Sequence, residues 1–379
     1  MSNCFQRNEI GGVFLHIKKR INAFLISNRH YISPIIIKVA RLCWFKTTVD
    51  YKRARESLSV FSKKPKGHCF ANNNCEVRYD LQIIIPAYNV EKYIETCLDS
   101  IARLSTNKYK VLVQIINDGS TDGTNNIIEE YLKNFNFEIT VIQQKNKGLS
   151  ETRNLALRTL YGRYIMFIDS DDYLPDNINL DLLLDNAVDC EILQGDWIIV
   201  DSENVEVHRR ESDLLSGYAW GKIYSYTIFK KLHFPAEYWY EDTIIKFIIS
   251  RLDVRIKNLH EYIYCYRVNP DGISSTASKR SKAIDSYWIT ELCLEDLPRF
   301  EIEYDEMTFN NLIQQAIINQ IRIIRLPRRI RKYVFALTTE LIEKYFQDMS
   351  STKYIDVERA LRNKQFIKFE LLAMAYRLS

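Results

Sequence analysis

The 379-residue sequence predicts an α/β protein in which a mostly parallel sheet is flanked by helices, with a helical segment before it and a helical region after it. Three observations lead to this prediction. From residue 80 onwards, short runs of β-branched residues alternate with amphipathic helical segments. The connections between them are short, which is typical of βαβ units. The chain has only 11 Gly and 8 Pro, and both of its ends carry apolar residues at helical spacing.

The predicted elements follow one another in a regular order. Short apolar runs predict strands at 81–86, 111–117, 138–143 and 163–169, and amphipathic periodicity predicts helices at 91–104, 124–134 and 150–160. After residue 173 the pattern predicts helices at 177–187 and 241–252 and strands at 191–200, 205–209 and 254–267. We therefore divide the chain into a basic helical N-terminal segment with a linker (1–79), an α/β domain of two halves (80–172 and 173–275) and a C-terminal helical region (276–379).

Charge is distributed unevenly along the chain. Residues 1–66 hold 14 Lys and Arg against 3 Asp and Glu, a net charge of +11, whereas the remainder has a net charge of −7. A basic segment favours contact with an anionic surface, either membrane headgroups or nucleic acid. The sequence has no nucleic-acid-binding motif and no surface in which aromatic and basic residues interleave, so we expect no nucleic-acid partner.

The basic N-terminal segment has apolar residues at helical spacing around 17–25 and again around 35–45. Two interpretations stay open: amphipathic helices on a membrane surface, or helices that pack on the body of the protein and expose a basic face. We expect no secretory signal at the start of the sequence, and the sequence has no run of 18 or more uncharged apolar residues. None of the eight cysteines has zinc-site spacing, which favours reduced thiols. We expect a cytoplasmic protein that is peripheral on the inner face of the membrane if this segment binds it.

Polar residues follow each of the four predicted parallel strands. The segments are PAYN at 86–89, DGSTDG at 118–123, NKGLS at 146–150 and DSDD at 169–172. Ligands of such sheets bind beyond the carboxyl ends of the strands. One Asp after a strand is usually a helix cap, but four polar ends together predict a ligand site.

The DSDD segment points to a metal. Residues i and i+2 of an extended segment face the same side, so Asp169 and Asp171 present two carboxylates to one point. Such carboxylates bind Mg²⁺ or Mn²⁺ and leave the other coordination positions to phosphate oxygens and water. Without a cation, neighbouring carboxylates raise one another's pKa. The segment therefore predicts a divalent-metal site.

Two further side chains suit a nucleotide. Asp118 begins a tight turn, where its carboxylate is able to accept a hydrogen bond from a nucleobase N–H. Arg153 lies on the helix after Gly148 and is able to reach a ribose or a base carbonyl. The alternative for Arg153 is a surface ion pair.

In this order and spacing, the motifs resemble the nucleotide-binding half of family 2 glycosyltransferases with the GT-A fold. The motifs are PAYNVEKYIETCLDSI, INDGSTDGT, NKGLSETRN and DSDDYL. Further along, AWGKIYSYTIF, WYEDTIIKF and YRVNPDGIS resemble the acceptor half of the bacterial members that build capsule, O-antigen and other surface polysaccharides. The resemblance covers roughly residues 80–275.

This resemblance implies roles for individual residues. The positions implied for the nucleotide-sugar are Pro86, Ala87, Tyr88, Asp118, Gly148, Arg153, Asp169, Ser170, Trp220 and Lys222. Asp171 would ligate Mn²⁺ or Mg²⁺ at the diphosphate, and Asp169 would hold the ribose or assist the metal. Asp242 matches the catalytic base. The 269–275 loop resembles a mobile segment that closes over the donor, although it lacks the His that some relatives offer to the metal.

The Glu241–Asp242 pair also suits the chemistry on physical grounds. Transfer with inversion needs one base to take the proton of the acceptor hydroxyl. A carboxylate at a helix start beneath Trp239 and Tyr240 is partly desolvated, which raises its pKa and its basicity. The alternative is that both residues only cap the helix. We choose Asp242 as the base and keep Glu241 as the second candidate.

The sequence therefore predicts an inverting, metal-dependent glycosyltransferase that uses a nucleotide-diphosphate sugar, with UDP as the first choice. Its acceptor is expected to be a growing surface glycan or a lipid-linked oligosaccharide. A dehydrogenase would need a GxGxxG turn after the first strand, and this sequence has PAYN there. A processive synthase would carry transmembrane helices and a QxxRW motif, and the sequence has neither, which favours transfer of one or a few sugars. The open alternative is a non-catalytic glycan-binding or scaffolding subunit, and the C-terminal helices leave an oligomer open.

Overall fold

The computed structural model describes residues 29–133, 135–211 and 213–378. The chain divides into two compact units: one is Lys64–Glu303, and the other joins the residues before Lys64 to those after Glu303. The helix predicted around residues 17–25 lies outside the described residues. The seven described cysteines are free thiols.

Strands and helices alternate along the middle of the chain, and the described residues before and after this part form helices. The strands are β1 (Asn74–Ala87), β2 (Val111–Asn117), β3 (Glu138–Gln143), β4 (Thr159–Phe167), β5 (Ile192–Val200), β6 (Glu206–Arg210), β7 (Lys222–Ser225) and β8 (Ile256–Arg267). The helices are α1 (Arg29–Leu42), α2 (Tyr51–Phe61), α3 (Ile94–Ala102), α4 (Thr124–Tyr131), α5 (Leu149–Leu157), α6 (Leu180–Ala187), α7 (Tyr226–Phe229), α8 (Thr243–Phe247), α9 (Ile273–Thr276), α10 (Asp285–Asp296), α11 (Glu306–Arg322), α12 (Arg328–Tyr345), α13 (Ile355–Arg362) and α14 (Phe366–Leu378).

The Lys64–Glu303 unit contains a mixed sheet with the strand order β3-β2-β1-β4-β7-β5-β6, and β8 pairs with β5. The first four strands of this order are mutually parallel. β7 then runs antiparallel to both β4 and β5. The predicted α/β class with a mostly parallel sheet flanked by helices is therefore confirmed.

The central strands form because they are apolar on both faces. All seven residues of β2 and the last seven of β1 are buried, as expected for strands covered by helices on each side. α3 packs on the same core through Ile94, Cys97, Leu98 and Ile101. These residues are three or four positions apart, so they lie on one face of the helix. The four parallel strands therefore end together, and their following loops lie at one edge.

Three differences from the sequence prediction concern local elements. β1 begins at Asn74, so it takes in residues 74–79, which were predicted to belong to the linker. β7 was not predicted, because four residues are too few to show a strand period. The helix predicted at 241–252 is an α-helix only from Thr243 to Phe247 and continues as a 3₁₀ turn at Ile249–Arg251.

The second unit is helical over its described residues. α1 packs on α14, and α2 packs on α12. Asp50 and Asp305 cap α2 and α11 by accepting from the backbone N–H groups of Arg53 and Thr308. None of the described helices is both long enough and apolar enough to cross a bilayer.

Candidate functional site

The loop after β1 is hydrogen-bonded to the loop after β2. Asn89 has a left-handed φ of 50°. Its Oδ1 accepts from the Thr121 backbone N–H (2.8 Å), and its own N–H donates to the Ser120 hydroxyl (3.1 Å). These hydrogen bonds fix the conformation of the loop after β1 at the carboxyl edge of the sheet.

The three residues predicted to frame a nucleobase differ in exposure. Pro86 and Ala87 are the last residues of β1 and are buried. Tyr88, the next residue, is 46% exposed. Of the three, only Tyr88 therefore presents its side chain to solvent, and the other two are part of the buried end of β1.

Asp118 joins the end of β2 to the loop before α5. Its carboxylate is buried, and Oδ1 accepts from the Lys147 backbone N–H and from the Gln144 amide (2.8 and 2.7 Å). Oδ2 accepts from the Gly148 N–H (2.8 Å). Each carboxylate oxygen has two lone pairs, so Oδ2 has room for one more donor.

Gly148 starts α5 with a backbone conformation that suits only glycine. Its φ is 85° and its ψ is 166°. A Cβ at this position would meet no atom within 4 Å. The glycine is therefore needed for its backbone angles, and the space beside it is open.

Arg153 connects two of the predicted motifs. Its buried guanidinium, on α5, donates to Asp169 Oδ1 (2.6 Å) and to Glu241 Oε1 (2.5 Å). The ring faces of Phe167 and Phe234 lie 5.8 and 5.2 Å from it. Burial alone would lower the pKa of Arg153, but the two carboxylates keep that pKa above its ordinary value. The surface ion pair considered from the sequence is therefore wrong, because the pair is buried.

The carboxylates of the DSDD segment have three different environments. Asp169 is neutralised by Arg153. Asp172 is buried, and its oxygens accept from the Tyr264 hydroxyl (2.9 Å) and the Arg267 backbone N–H (2.7 Å). Asp171 accepts through Oδ2 from the Asn269 amide (2.9 Å) and is half-buried. Ser170, between them, is buried.

The pKa values of this segment show the effect of crowding. Burial and the neighbouring Asp169 carboxylate raise the pKa of Asp171. Burial, followed by Asp171 and Asp169, raises the pKa of Asp172 well above its ordinary value. A cation placed beside Asp171 would oppose both effects.

The Glu241–Asp242 pair follows a strained residue. Tyr240, directly before it, has a φ of 63°. Glu241 is buried against Arg153, and burial raises the pKa of Glu241 to about 7, opposed by Arg153 and reinforced by Asp242. Asp242 is half-buried at the start of α8, and its side chain makes no capping hydrogen bond to that helix. The capping alternative is therefore wrong for the Asp242 side chain.

Lys222 directs its ammonium at its own loop. Nζ donates to the Ser216 hydroxyl (2.6 Å) and to the backbone carbonyls of Tyr218 (2.6 Å) and Trp220 (3.3 Å). These three acceptors match the three hydrogens of an ammonium. Burial lowers the pKa of Lys222 to about 7, and the Asp242 charge opposes this shift. Lys222 therefore supports the 216–221 loop in this structure.

Trp220 lies inside a stack of aromatic rings. It is buried, with Tyr218 and Tyr264 on its two faces at centroid distances of 4.5 Å and interplanar angles of 7° and 8°. Tyr218, at the outer end, is 43% exposed. The exposed aromatic surface next to Trp220 is therefore that of Tyr218.

Sequence reasoning did not identify two supporting residues of the DSDD segment. The Tyr264 hydroxyl donates to Asp172 and accepts from the Asp169 backbone N–H (3.0 Å). Asn269 orients Asp171. Both contacts join residues more than 90 positions apart, so local sequence patterns do not reveal them. The NPDG turn at 269–272 was the one sequence feature that pointed to this region.

The donor set fits a divalent cation held with help from a substrate. The described residues contain no group of three or more His, Cys, Asp or Glu that would hold a metal by themselves. Asp171 offers a hard carboxylate oxygen with a raised pKa, and Asp169 lies two residues away. Mg²⁺ is commonly held by one or two carboxylates together with substrate phosphates and water. Asp171 and Asp169 are therefore suitable partners for such an ion.

Comparisons with known proteins agree with these observations. Residues 82–241 match the family model described as glycosyl transferase family 2. The chain is 29% identical over 221 residues to the glycosyltransferase GlyA of Streptococcus pneumoniae (51% of this chain, 31% of that protein). It is 30% identical over 224 residues to the uncharacterized glycosyltransferase EpsJ of Bacillus subtilis (52% of this chain, 64% of that protein). The chain thus spans between about one third and two thirds of these two relatives.

A solved structure shares the fold. The match is to residues 1–349 of S. aureus TarS in complex with UDP-GlcNAc, with a TM-score of 0.57 and 20% identity. It covers 79% of this chain and 91% of that chain. The predicted GT-A-type sheet is confirmed by this likeness together with the observed strand order.

Proposed function

We propose that the chain, whose residues 82–241 match the model for glycosyl transferase family 2, transfers a sugar from a nucleotide-diphosphate donor to a glycan hydroxyl with inversion at the anomeric carbon. The observation that carries this proposal is the Arg153 bridge. It joins Asp169 of the DSDD segment to Glu241 in one buried network. Groups suited to a diphosphate and groups suited to proton transfer therefore lie side by side.

The donor that we propose is a UDP-sugar. Tyr88 is exposed at the end of β1, and Asp118 Oδ2 has a lone pair for a base N–H. Gly148, whose N–H donates to this carboxylate, has open space where a side chain would stand. The TarS fragment that shares the fold was crystallised with UDP-GlcNAc, which supports a uridine nucleotide as the first donor to test.

The cofactor that we propose is Mn²⁺ or Mg²⁺ on Asp171, assisted by Asp169. Bound there, the ion would supply positive charge for the departing diphosphate. Asn269 orients the Asp171 carboxylate, and Arg153 balances the charge of Asp169. These contacts leave Asp171 as the carboxylate of the segment best suited to a ligand.

Within the pair, Asp242 is better suited than Glu241 to act as the base. Glu241 is buried and held by Arg153, so it serves to position the guanidinium. Asp242 is half-buried, so its carboxylate is more accessible than that of Glu241. A base must reach the acceptor hydroxyl directly or through one water, which requires access from solvent.

The acceptor that we propose is a hydroxyl of a growing surface glycan on a lipid carrier. Such an acceptor lies at the inner face of the cytoplasmic membrane, so the enzyme is proposed to be peripheral there. Tyr218 offers an exposed ring near Trp220, and sugar rings present apolar C–H faces to such a platform. The names of the two matched bacterial relatives support glycosyl transfer as the reaction class.

The test is a hydrolysis screen of UDP-, GDP- and dTDP-sugars with Mn²⁺, with and without EDTA. We expect slow nucleotide release from one donor, lost in EDTA and restored by excess Mn²⁺. The matched control is Val207→Glu, at an exposed β6 position, which should release nucleotide like the wild type. If no donor is hydrolysed and calorimetry detects no binding of UDP with Mn²⁺, the catalytic proposal fails and the glycan-binding alternative is favoured.

A further inference from the structure

Helix α1 has an outward face of large apolar side chains. Tyr31, Ile35, Val39 and Leu42 are spaced by four, four and three residues, so they lie on one side of the helix. They are between 47% and 76% exposed. Isolated exposed apolar residues are common, but a continuous row on one helix face usually marks an interaction surface.

The opposite face of α1 is used for packing within the helical unit. The Ser33 hydroxyl donates to the Ala375 carbonyl of α14 (3.2 Å), and both Ser33 and Ala40 are buried. The helix is therefore attached by one side. This attachment leaves the row of apolar side chains on the other side.

Two aromatic rings extend this row beyond the end of α1. Trp44 and Phe45 stack on each other with a centroid distance of 4.7 Å, and they are 71% and 63% exposed. Their backbone is held in place, because the Gln365 amide donates to the Trp44 carbonyl (3.2 Å) and the Thr47 N–H donates to the Lys364 carbonyl (2.7 Å). The anchored backbone keeps both rings presented outward.

The surroundings of the row are basic. Residues 30–49 contain Lys38, Arg41 and Lys46 and no Asp or Glu. Arg41 pairs with Asp356 (3.0 Å), and the side chains of Lys38 and Lys46 are exposed. A helix with an apolar face, interfacial aromatic rings and flanking lysines has the composition of a membrane-surface helix.

We propose that the apolar surface of α1 and of the two rings that follow it, here called the α1 surface, docks on an anionic lipid bilayer with the axis of α1 parallel to the membrane plane. The α1 surface consists of Tyr31, Ile35, Val39, Leu42, Trp44 and Phe45. Their side chains enter the boundary between headgroups and acyl chains, and Lys38 and Lys46 contact the anionic headgroups. This inference extends the peripheral location proposed above and does not depend on the transfer reaction.

A bilayer explains the surface better than a protein partner does. Trp and Tyr concentrate at membrane–water interfaces, and flanking Lys residues add attraction to anionic lipids. Lysine is instead depleted at protein–protein interfaces. None of the described helices is able to span the bilayer, so the contact would be interfacial.

The experiment is flotation of the full chain with phosphatidylglycerol–phosphatidylcholine vesicles, without donor or metal. We expect binding that is weaker on pure phosphatidylcholine and at high salt. Trp44→Ala/Phe45→Ala and Ile35→Glu/Val39→Glu should each lower the partition coefficient by roughly tenfold or more. Lys46→Gln should lower it by roughly fivefold on the anionic vesicles alone. Val207→Glu, in which the replaced valine is as exposed as Ile35, should float like the wild type.

Thermal unfolding and light scattering of each variant complete the test. Flotation unchanged in both apolar variants would overturn the proposal. So would a lowered unfolding temperature with unchanged flotation, since that result means that these side chains contribute to folding and not to lipid binding. Loss of a dimer in Trp44→Ala/Phe45→Ala without any vesicle binding would assign the surface to a second copy. Donor hydrolysis, measured in parallel without vesicles, separates these outcomes from failure of the proposed function.

Discussion

Replacing Asp171 and Asp172 one at a time by Ala should separate ligand binding from stability within a single motif. The two residues are adjacent in DSDD and look equivalent in the sequence. In the structure Asp171 is half-buried, and its carboxylate accepts a hydrogen bond from the Asn269 side chain. Asp172 is buried and accepts from Tyr264 and Arg267.

The size of each effect follows from these contacts. Asp172→Ala leaves two buried donors without an acceptor, at about 1–3 kcal/mol each. Removing a carboxylate that is costly to bury recovers part of this, so we expect a net loss of about 2–4 kcal/mol in the free energy of unfolding. Asp171→Ala removes one hydrogen bond at a half-buried position and should cost less than about 1 kcal/mol.

The assays are urea unfolding and calorimetry of UDP with Mn²⁺. Asp171→Ala should unfold close to the wild type and lose metal-dependent nucleotide binding. Asp172→Ala should unfold at lower urea, because the Tyr264 hydroxyl that also holds the Asp169 N–H loses its acceptor. The reasoning would be refuted if Asp171→Ala kept full Mn²⁺-dependent binding, or if both variants lost the same stability.

Three further predictions concern the network around the motif. Asp242→Asn should keep donor affinity and lower the transfer rate by roughly 10²–10⁴-fold, measured by steady-state kinetics; an active variant would contradict its role as the base. Arg153→Met leaves the Asp169 and Glu241 carboxylates without their cation and should lower the free energy of unfolding by about 3–5 kcal/mol, whereas a loss below about 1 kcal/mol would show that the pair is unimportant for folding. Burial lowers the pKa of Lys222 from 10.5 to about 7. The contribution of Lys222 to the free energy of unfolding is therefore largest at high pH and is lost as the pH falls through 7, because the buried amine then becomes charged. The free energy of unfolding of the wild type, relative to that of Lys222→Met, should therefore rise by up to about 1.4 kcal/mol per pH unit between pH 7 and 9. Unfolding titrations would measure this difference, and a difference that does not change with pH would contradict the lowered pKa.

Much of the fold was predictable because its signals are local. The bounds of β2 and β3 agree with the predicted strands to the residue, since each is a short apolar run between turn residues. Parallel strands with short connections bring their carboxyl ends to one edge, so the meeting of the 118–123 and 146–150 loops also followed from the order of elements. β7 was missed because its assignment depends on pairing with β4 and β5.

The residue types of the candidate site came from the sequence alone, and their division of labour came from the tertiary structure. Spacing identified DSDD and Arg153 as groups suited to a metal and a nucleotide, and the family resemblance identified the Glu241–Asp242 pair as suited to proton transfer. It could not tell which carboxylate is neutralised and which supports the fold. Those differences depend on partners such as Glu241 for Arg153, 88 positions away, and Tyr264 for Asp172, 92 positions away. The physical reason is that a periodic pattern records which face of an element is buried, whereas the partner of a buried charge is chosen only when distant elements pack together.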